Sequence, residues 1–284
     1  MAQLKTVLVI GATGKQGGAT LRHLKASGWH VRAMTRDVNK PTAQALASSG
    51  IEVVKGDMDD PESLKTAMRG VQAVFSVQNW REAEGREIAQ GKAVVDAAKL
   101  AGVRHLVYTS AGGADQKTGA AHLDDKGEIE AYLRSSGVPY TVIRPCAFMD
   151  NFATSGKTMA STGVFTGTMD AHKKMQWVCV DDIGKIASLA FNQPDKFIGK
   201  SFDIASDEMT MPQAAEVLSR VSGKKIVYQQ RPIDESDHEG AMRSHFVNDH
   251  GYHADVPMLR KLVPDLTSLE TFVKKSWASD TIKA

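Results

Sequence analysis

An apolar run, Val7-Leu8-Val9-Ile10, leads directly into Gly11-Ala12-Thr13-Gly14-Lys15-Gln16-Gly17, and this junction constrains the chain more than any other feature. Successive β-formers read as a strand buried on both faces. The glycines let the backbone turn sharply and approach a ligand where a Cβ would collide. Leu21, Leu24 and the neighbouring alanines then continue at helical spacing until Gly28 closes the helix. Such a helix presents its first N–H groups and its positive dipole end to an anion. Strand, glycine loop and helix in this order predict a bound dinucleotide, with Gly11, Thr13, Gly14, Lys15, Gln16 and Gly17 around its pyrophosphate.

The rest of the chain repeats the rhythm. Apolar runs fall at 6–10, 30–34, 51–55, 72–77, 104–109 and 139–143, with amphipathic segments near 15–27, 41–49, 61–69, 84–101 and 125–136 between them. Gly28, Gly50, Gly70, Gly102 and Gly137 each stand between a helix and the next strand, where a left-handed residue ends helices. This alternation predicts an α/β fold, a Rossmann-type doubly wound parallel sheet. Beyond Pro145 the period loosens. Residues 146–175 are rich in Gly, Thr, Ser and Met with no sustained period, and 146–172, like 231–255, reads as mobile. A short strand is expected at 176–180, with Asp181-Asp182 capping a helix over 183–192. Further elements are expected near 201–205 (strand), 211–222 (helix) and 225–229 (strand). The expected division is 1–145 plus 173–195 as the dinucleotide-binding domain and 146–172 plus 196–284 as a smaller substrate or partner lobe. Loops at 11–17, 35–40, 57–60, 77–82, 110–121 and 145–152 should share the rim at the strands' carboxyl ends.

Composition excludes more than it suggests. Hydrophobic content of 42% and charged content of 24% are those of a globular protein, and a net charge of +2 without a basic run gives no footprint for nucleic acid. No apolar stretch approaches the ~20 residues that cross a bilayer. The opening residues run straight into the first strand, leaving no room for a signal peptide, so a cytoplasmic protein is expected, with nuclear entry left open. Cys146 and Cys179 lack metal-ligand spacing, and no metal site is expected; buried structural thiols or a redox-sensing thiol are the two readings.

The second strand ends in Thr35-Arg36-Asp37. NAD sites place a carboxylate about 20 residues beyond the glycines, but here that place falls on Thr35 or Arg36. A guanidinium there can stack on adenine and pair with a 2′-phosphate, a contact worth on the order of 1.5–3 kcal/mol. Lys15 and Lys40 add positive potential, so NADP(H) is expected over NAD(H), with Asp37 able to reverse this by a small shift of register. Asp57 either accepts from the adenine amino group or caps the helix near Pro61. Gln78 and Asn79 serve either a ligand or their own loop.

With these residues in place the chain resembles the NmrA-like proteins of the atypical short-chain dehydrogenase/reductase superfamily. The resemblance runs through Val107-Tyr108-Thr109-Ser110-Ala111-Gly112-Gly113, Ala121-His122-Leu123-Asp124-Asp125-Lys126-Gly127, Ile143-Arg144-Pro145, Phe148-Met149-Asp150-Asn151-Phe152 and Val180-Asp181-Asp182-Ile183-Gly184. It implies further cofactor contacts at Met58, Lys126, Phe148 and Asn151. In the superfamily's catalytic branch a Tyr four residues before Lys donates the proton, and a Ser polarises the carbonyl. Here Lys126 keeps its place, Ser110 matches the Ser, and His122 stands where Tyr would. With Lys126 one helical turn away, a second positive charge on the imidazole is disfavoured. His122 is thus expected in a structural or nicotinamide-side contact, with proton donation as the alternative.

Two functions follow. One is a dinucleotide-responsive redox sensor acting through a regulatory protein partner, which the resemblance implies and an incomplete proton-transfer site favours. The other is an NADPH-dependent oxidoreductase for quinone-like, azo or conjugated carbonyl acceptors. Phe148, Met149, Phe152 and Trp80 would then form its apolar pocket, or else simply pack the core.

Overall fold

The computed structural model describes residues 5–83 and 85–278; the opening residues on which the signal-peptide reading rests lie outside them up to position 4. The chain runs β1 (Thr6–Val9), α1 (Lys15–Ala26), β2 (His30–Thr35), α2 (Pro41–Ser48), β3 (Glu52–Lys55), α3 (Pro61–Ala67), β4 (Ala73–Ser76), a short α4 (Trp80–Ala83), α5 (Glu87–Leu100), β5 (His105–Thr109), α6 (Ala121–Ser135) and β6 (Tyr140–Pro145). It continues through β7 (Ala147–Phe148), α7 (Asp150–Thr162), β8 (Val164–Gly167), β9 (Lys174–Val178), α8 (Val180–Asn192), α9 (Pro194–Phe197), β10 (Lys200–Ile204), β11 (Asp207–Thr210), α10 (Met211–Ser222), β12 (Val227–Gln230), α11 (His238–Asp249), α12 (Val256–Leu262) and α13 (Leu269–Ala278).

The large sheet has the order β10-β6-β5-β4-β1-β2-β3, and every neighbouring pair is parallel. A fully parallel sheet needs cover on both faces. On one side α1 and α8 pack with Val7, Val9, Phe75, Val107 and Ile183; on the other, Leu8, Ile10, Leu106 and Tyr108 meet Leu64, Val94 and Ile129. The helix pair α1–α8 touches backbone to backbone, since a Cβ on Gly184 would lie 2.6 Å from the carbonyl carbon of Ala19. Gly28, Gly50, Gly70, Gly102 and Gly137 all have positive φ with open space around them, so conformation and not crowding selects glycine at these turns. Strand order reverses between β1 and β4, which opens a crevice at their carboxyl ends.

The smaller lobe combines a β11-β9-β7 sheet, a β12-β8 pair and a separate core of Phe152, Phe165, Trp177, Leu218 and Trp277. Its boundary differs from the sequence reading in two places. Lys200–Ile204 is the edge strand of the large sheet, and Lys174–Val178 belongs to the small one. Short strands carry little periodic signal, and which sheet they join is set by long-range pairing. The stretch 146–172 is also more regular than its composition suggested, because α7 fills 150–162 and ends at Gly163, φ +69°. Asp181 and Asp182 do not cap α8 but lie inside its first turn. The cap is supplied from a distance, by Asp150 accepting from the Val180 N–H at 3.0 Å.

Candidate cofactor and acceptor cleft

The loop after β1 is built for close approach. Gly11 has φ +71°, and a Cβ on it would stand 2.7 Å from Val77 Cγ1; one on Gly17 would stand 2.2 Å from the Gly11 carbonyl oxygen. These glycines let the first turn of α1 sit directly on the loop. Gly14 occupies the N-cap with no side chain to bond the helix N–H groups, and the first turn carries no acid. An uncapped, positively biased helix end therefore faces a cleft of about 780 Å³ that runs along the strands' carboxyl ends.

The cleft brings together Gly11, Thr13, Gly14, Lys15, Gln16, Gly17, Arg36, Lys40, Asp57, Met58, Gln78, Asn79, Ser110, His122, Lys126 and Phe148. Asn151 lies apart, exposed on the first turn of α7 with its carbonyl accepting from Thr154 and Ser155. Met149 and Phe152 are buried in the small-lobe core, whereas Phe148 and Trp80 line the cleft. The helix at Pro61 is capped by Asp60, which accepts from Glu62 and Ser63; the Asp57 carboxylate instead accepts from the Asp59 N–H.

At the β2 end, Arg36 reaches out and pairs with Glu82 at 2.9 Å. Asn79 donates to the other Glu82 oxygen at 3.0 Å, so α4 carries a carboxylate onto the guanidinium. Asp37 is turned back, accepting from the Asn39 N–H at 2.9 Å. Sequence reasoning did not single out Glu82.

The far end is organised by two carboxylates that sequence reasoning also missed. Lys126 makes a short ion pair with Glu87, whose side chain is only 1% exposed. The Nδ1 of His122 makes a short bond to Glu239 from the small lobe, and Trp80 lies 5.6 Å from the imidazole, centroid to centroid. Lys126 and His122 thus each face a carboxylate of their own. Glu87 was legible in principle. It opens the buried stripe of α5 that continues through Gly91, Val94 and Ala98, and a charge on an apolar stripe demands a partner. Glu239 sits in a polar segment and carries no such signal.

Two buried polar atoms near this end, Gln78 Oε1 and Glu87 Oε2, have no hydrogen-bond partner among the described residues, while the Ser110 and Tyr108 hydroxyls face each other. Burial, with the charges of Glu87 and Glu130, holds the Tyr108 hydroxyl well above the usual phenol range, so it stays protonated. Burial, with Asp203, likewise raises the Cys146 thiol, and burial raises Cys179. Both are inert thiols rather than reactive thiolates. Native interiors pair nearly all buried polar atoms, so the unpaired Gln78 oxygen on the cleft wall, beside Ser110, fits a ligand that supplies a donor. The uncapped helix end, the cations at the rim and this unpaired oxygen together match the pyrophosphate, ribose phosphate and carboxamide of a nicotinamide dinucleotide.

Quinone oxidoreductase 2 of Escherichia coli (strain K12) is 31% identical to this chain over 242 residues, covering 84% of this chain and 81% of its own length. The crystal structure of Citrobacter sp. triphenylmethane reductase complexed with NADP(H) superposes with a TM-score of 0.82 at 26% identity, covering 95% of this chain and 99% of that one. NmrA, a negative transcriptional regulator solved with NAD, shares the fold at a TM-score of 0.81 and 22% identity, covering 96% of this chain and 95% of its own. A sequence profile of the NmrA-like family matches residues 3–250, and the chain belongs to that family.

Proposed function

We propose that the protein is an NADPH-dependent reductase of flat conjugated acceptors, quinones foremost. The observation that carries this reading is the inner end of the cleft, where Ser110, Gln78 and the neutralised Lys126 lie beside an apolar rim of Phe148, Trp80 and Tyr252. Such a wall suits a planar acceptor laid over a nicotinamide. Sequence similarity to a quinone oxidoreductase and structural similarity to a dye reductase support the same class. When bound, NADPH supplies the hydride.

The remaining work falls to this chain's own side chains. The N-terminus of α1 and Lys15 hold the pyrophosphate. Arg36, released from Glu82, pairs with the 2′-phosphate beside Lys40. Lys126, steadied by Glu87, donates to the ribose hydroxyls, and Gln78 and Ser110 meet the carboxamide. A quinone accepts hydride without a tyrosine acid, so His122 in place of Tyr is compatible with turnover.

Residues 146–168 fold as β7, α7 and β8, with Phe152 and Phe165 packed edge to face at 5.5 Å. A sensing role needs NADPH to bind one arrangement of the protein better than another. Purified protein should oxidise NADPH over many turnovers with a quinone. Tight cofactor binding with no turnover across quinones, azo compounds and aldehydes would make sensing through a partner the function. In calorimetry NADPH should bind at least ~10-fold more tightly than NADH, with Arg36→Ala erasing the difference and Glu82→Gln tightening NADPH severalfold.

A further inference from the structure

The bond between His122 and Glu239 joins the two lobes across the acceptor end of the cleft. Helix α6 begins at Ala121 with no side-chain cap of its own. Glu239, in the first turn of α11, supplies one: its Oε2 accepts from the Ala121 N–H at 2.9 Å and its Oε1 from the His122 N–H at 3.1 Å. The same Oε1 meets His122 Nδ1. Burial pulls the Glu239 carboxyl upward, but the bonds from His122 and Ala121 outweigh it and hold the group below the usual carboxylate range. An ionised carboxylate only accepts, so Nδ1 carries the hydrogen. That fixes the ring and leaves Nε2, which bonds no other described residue, on the side of the cleft that His122 lines. The other charged side chains around that part of the cleft are Lys126 with Glu87, Arg81, Arg36 with Glu82, and Arg243 from α11.

We infer that Glu239 and His122 form a proton-delivery pair assembled from both lobes, with Glu239 positioning the ring and Nε2 giving a proton to the oxyanion that hydride transfer leaves on an acceptor. The step rests on the reductase reading above. One hydride and one proton convert a quinone to its hydroquinone. The hydride bonds to one carbonyl oxygen of the quinone, the electron pair passes through the ring to the opposite oxygen, and that oxygen's new O–H bond forms as the Nε2–H bond of the imidazolium breaks. The imidazole, still held through Nδ1–H, regains a proton from water at Nε2. Arg243 adds positive potential where that oxyanion develops.

The stoichiometry supplies the test. A cationic triphenylmethane dye becomes its neutral reduced form by gaining hydride alone, with no proton. The ratio of 1,4-naphthoquinone turnover to dye turnover therefore isolates proton delivery from cofactor binding, hydride transfer and folding. In His122→Gln and in Glu239→Gln this ratio should fall about tenfold or more, with kcat and not KM for the quinone carrying the loss. Gln at 239 keeps an oxygen to accept from Ala121 and His122, so the helix cap is retained while the charge is lost. A ratio within about twofold of the parent in either variant overturns the pair. If the parent protein reduces neither acceptor, the reductase reading itself fails and the delivery step falls with it.

Discussion

Helix α6 carries two buried ionic clusters that are alike in composition and opposite in completeness. In its second half Glu130 is fully buried and both oxygens are used: Arg144 donates at 2.8 and 2.7 Å, and Arg134 adds a bond of 2.5 Å. Asp115 takes the remaining Arg144 nitrogen at 2.6 Å. One turn earlier Lys126 meets Glu87, but the second Glu87 oxygen and the Gln78 carbonyl oxygen keep no partner among the described residues. A closed network fixes the packing of α6 on β6 and asks for nothing further. An open one costs about 1–3 kcal/mol for each orphan, which only an external partner can offset. Similar residues can thus serve shape in one place and ligand in the next.

The comparison breaks most visibly at Arg144. Replacing it in Arg144→Met leaves Glu130 deeply buried with Arg134 alone, and the loss should be about 3–5 kcal/mol in urea unfolding. NADPH affinity of the folded protein should stay within about twofold. A loss under 1 kcal/mol would show the closed cluster to be dispensable.

His105 sharpens the comparison, because it too has an orphan, Nδ1, but far from the cleft; its Nε2 bonds Thr141 at 2.8 Å. Burial lowers its pKa from 6.5 to about 4. The unfolded chain therefore takes up the proton first as pH falls. Stability conferred by the neutral ring is complete above pH ~6.5 and drains away toward pH ~4, by up to roughly 3 kcal/mol. In His105→Gln the slope of stability over this window should flatten. If it does not, the neutral buried imidazole is not the source. Cofactor affinity should be the same in both proteins, since this orphan faces core.

The smallest effect should come from Ser110→Ala. Removing the Ser110 hydroxyl, which faces only Tyr108 within the described residues, should change stability by less than about 1 kcal/mol, whereas NADPH affinity should fall about 5–10-fold. Stability and affinity moving down together would mean that Ser110 belongs with the closed cluster.

The fold was legible where local physics decides it. The glycine loop, the apolar runs and the turn glycines each act within a few residues, and the strands and helices up to Pro145 follow from them with ends shifted by a residue or more. Of the residues picked for the cleft, Asn151, Met149 and Phe152 lie apart, Asn151 facing solvent in the first turn of a helix that composition did not reveal and the other two packing the small-lobe core. What escaped was set by pairing at long range. Lys200–Ile204 joins the large sheet only because β6 offers an edge, and Glu239 reaches His122 across 117 positions of chain. Neither contact leaves a periodic trace. Glu82, an acid on the short helix α4, reads as solvated until Arg36 is placed against it.

The interleaving of the lobes decides how this scaffold can be altered. Since the chain passes from small sheet to large and back between β9, β10 and β11, the small lobe is no cassette: cutting it out at 196 would strip an edge strand from its neighbour. Between β12 and α12, by contrast, a single uninterrupted segment, 231–255, brings Glu239, Arg243 and Tyr252 to the cleft. A library confined to that segment would diversify acceptor choice while leaving the seven parallel strands and the glycine loop untouched.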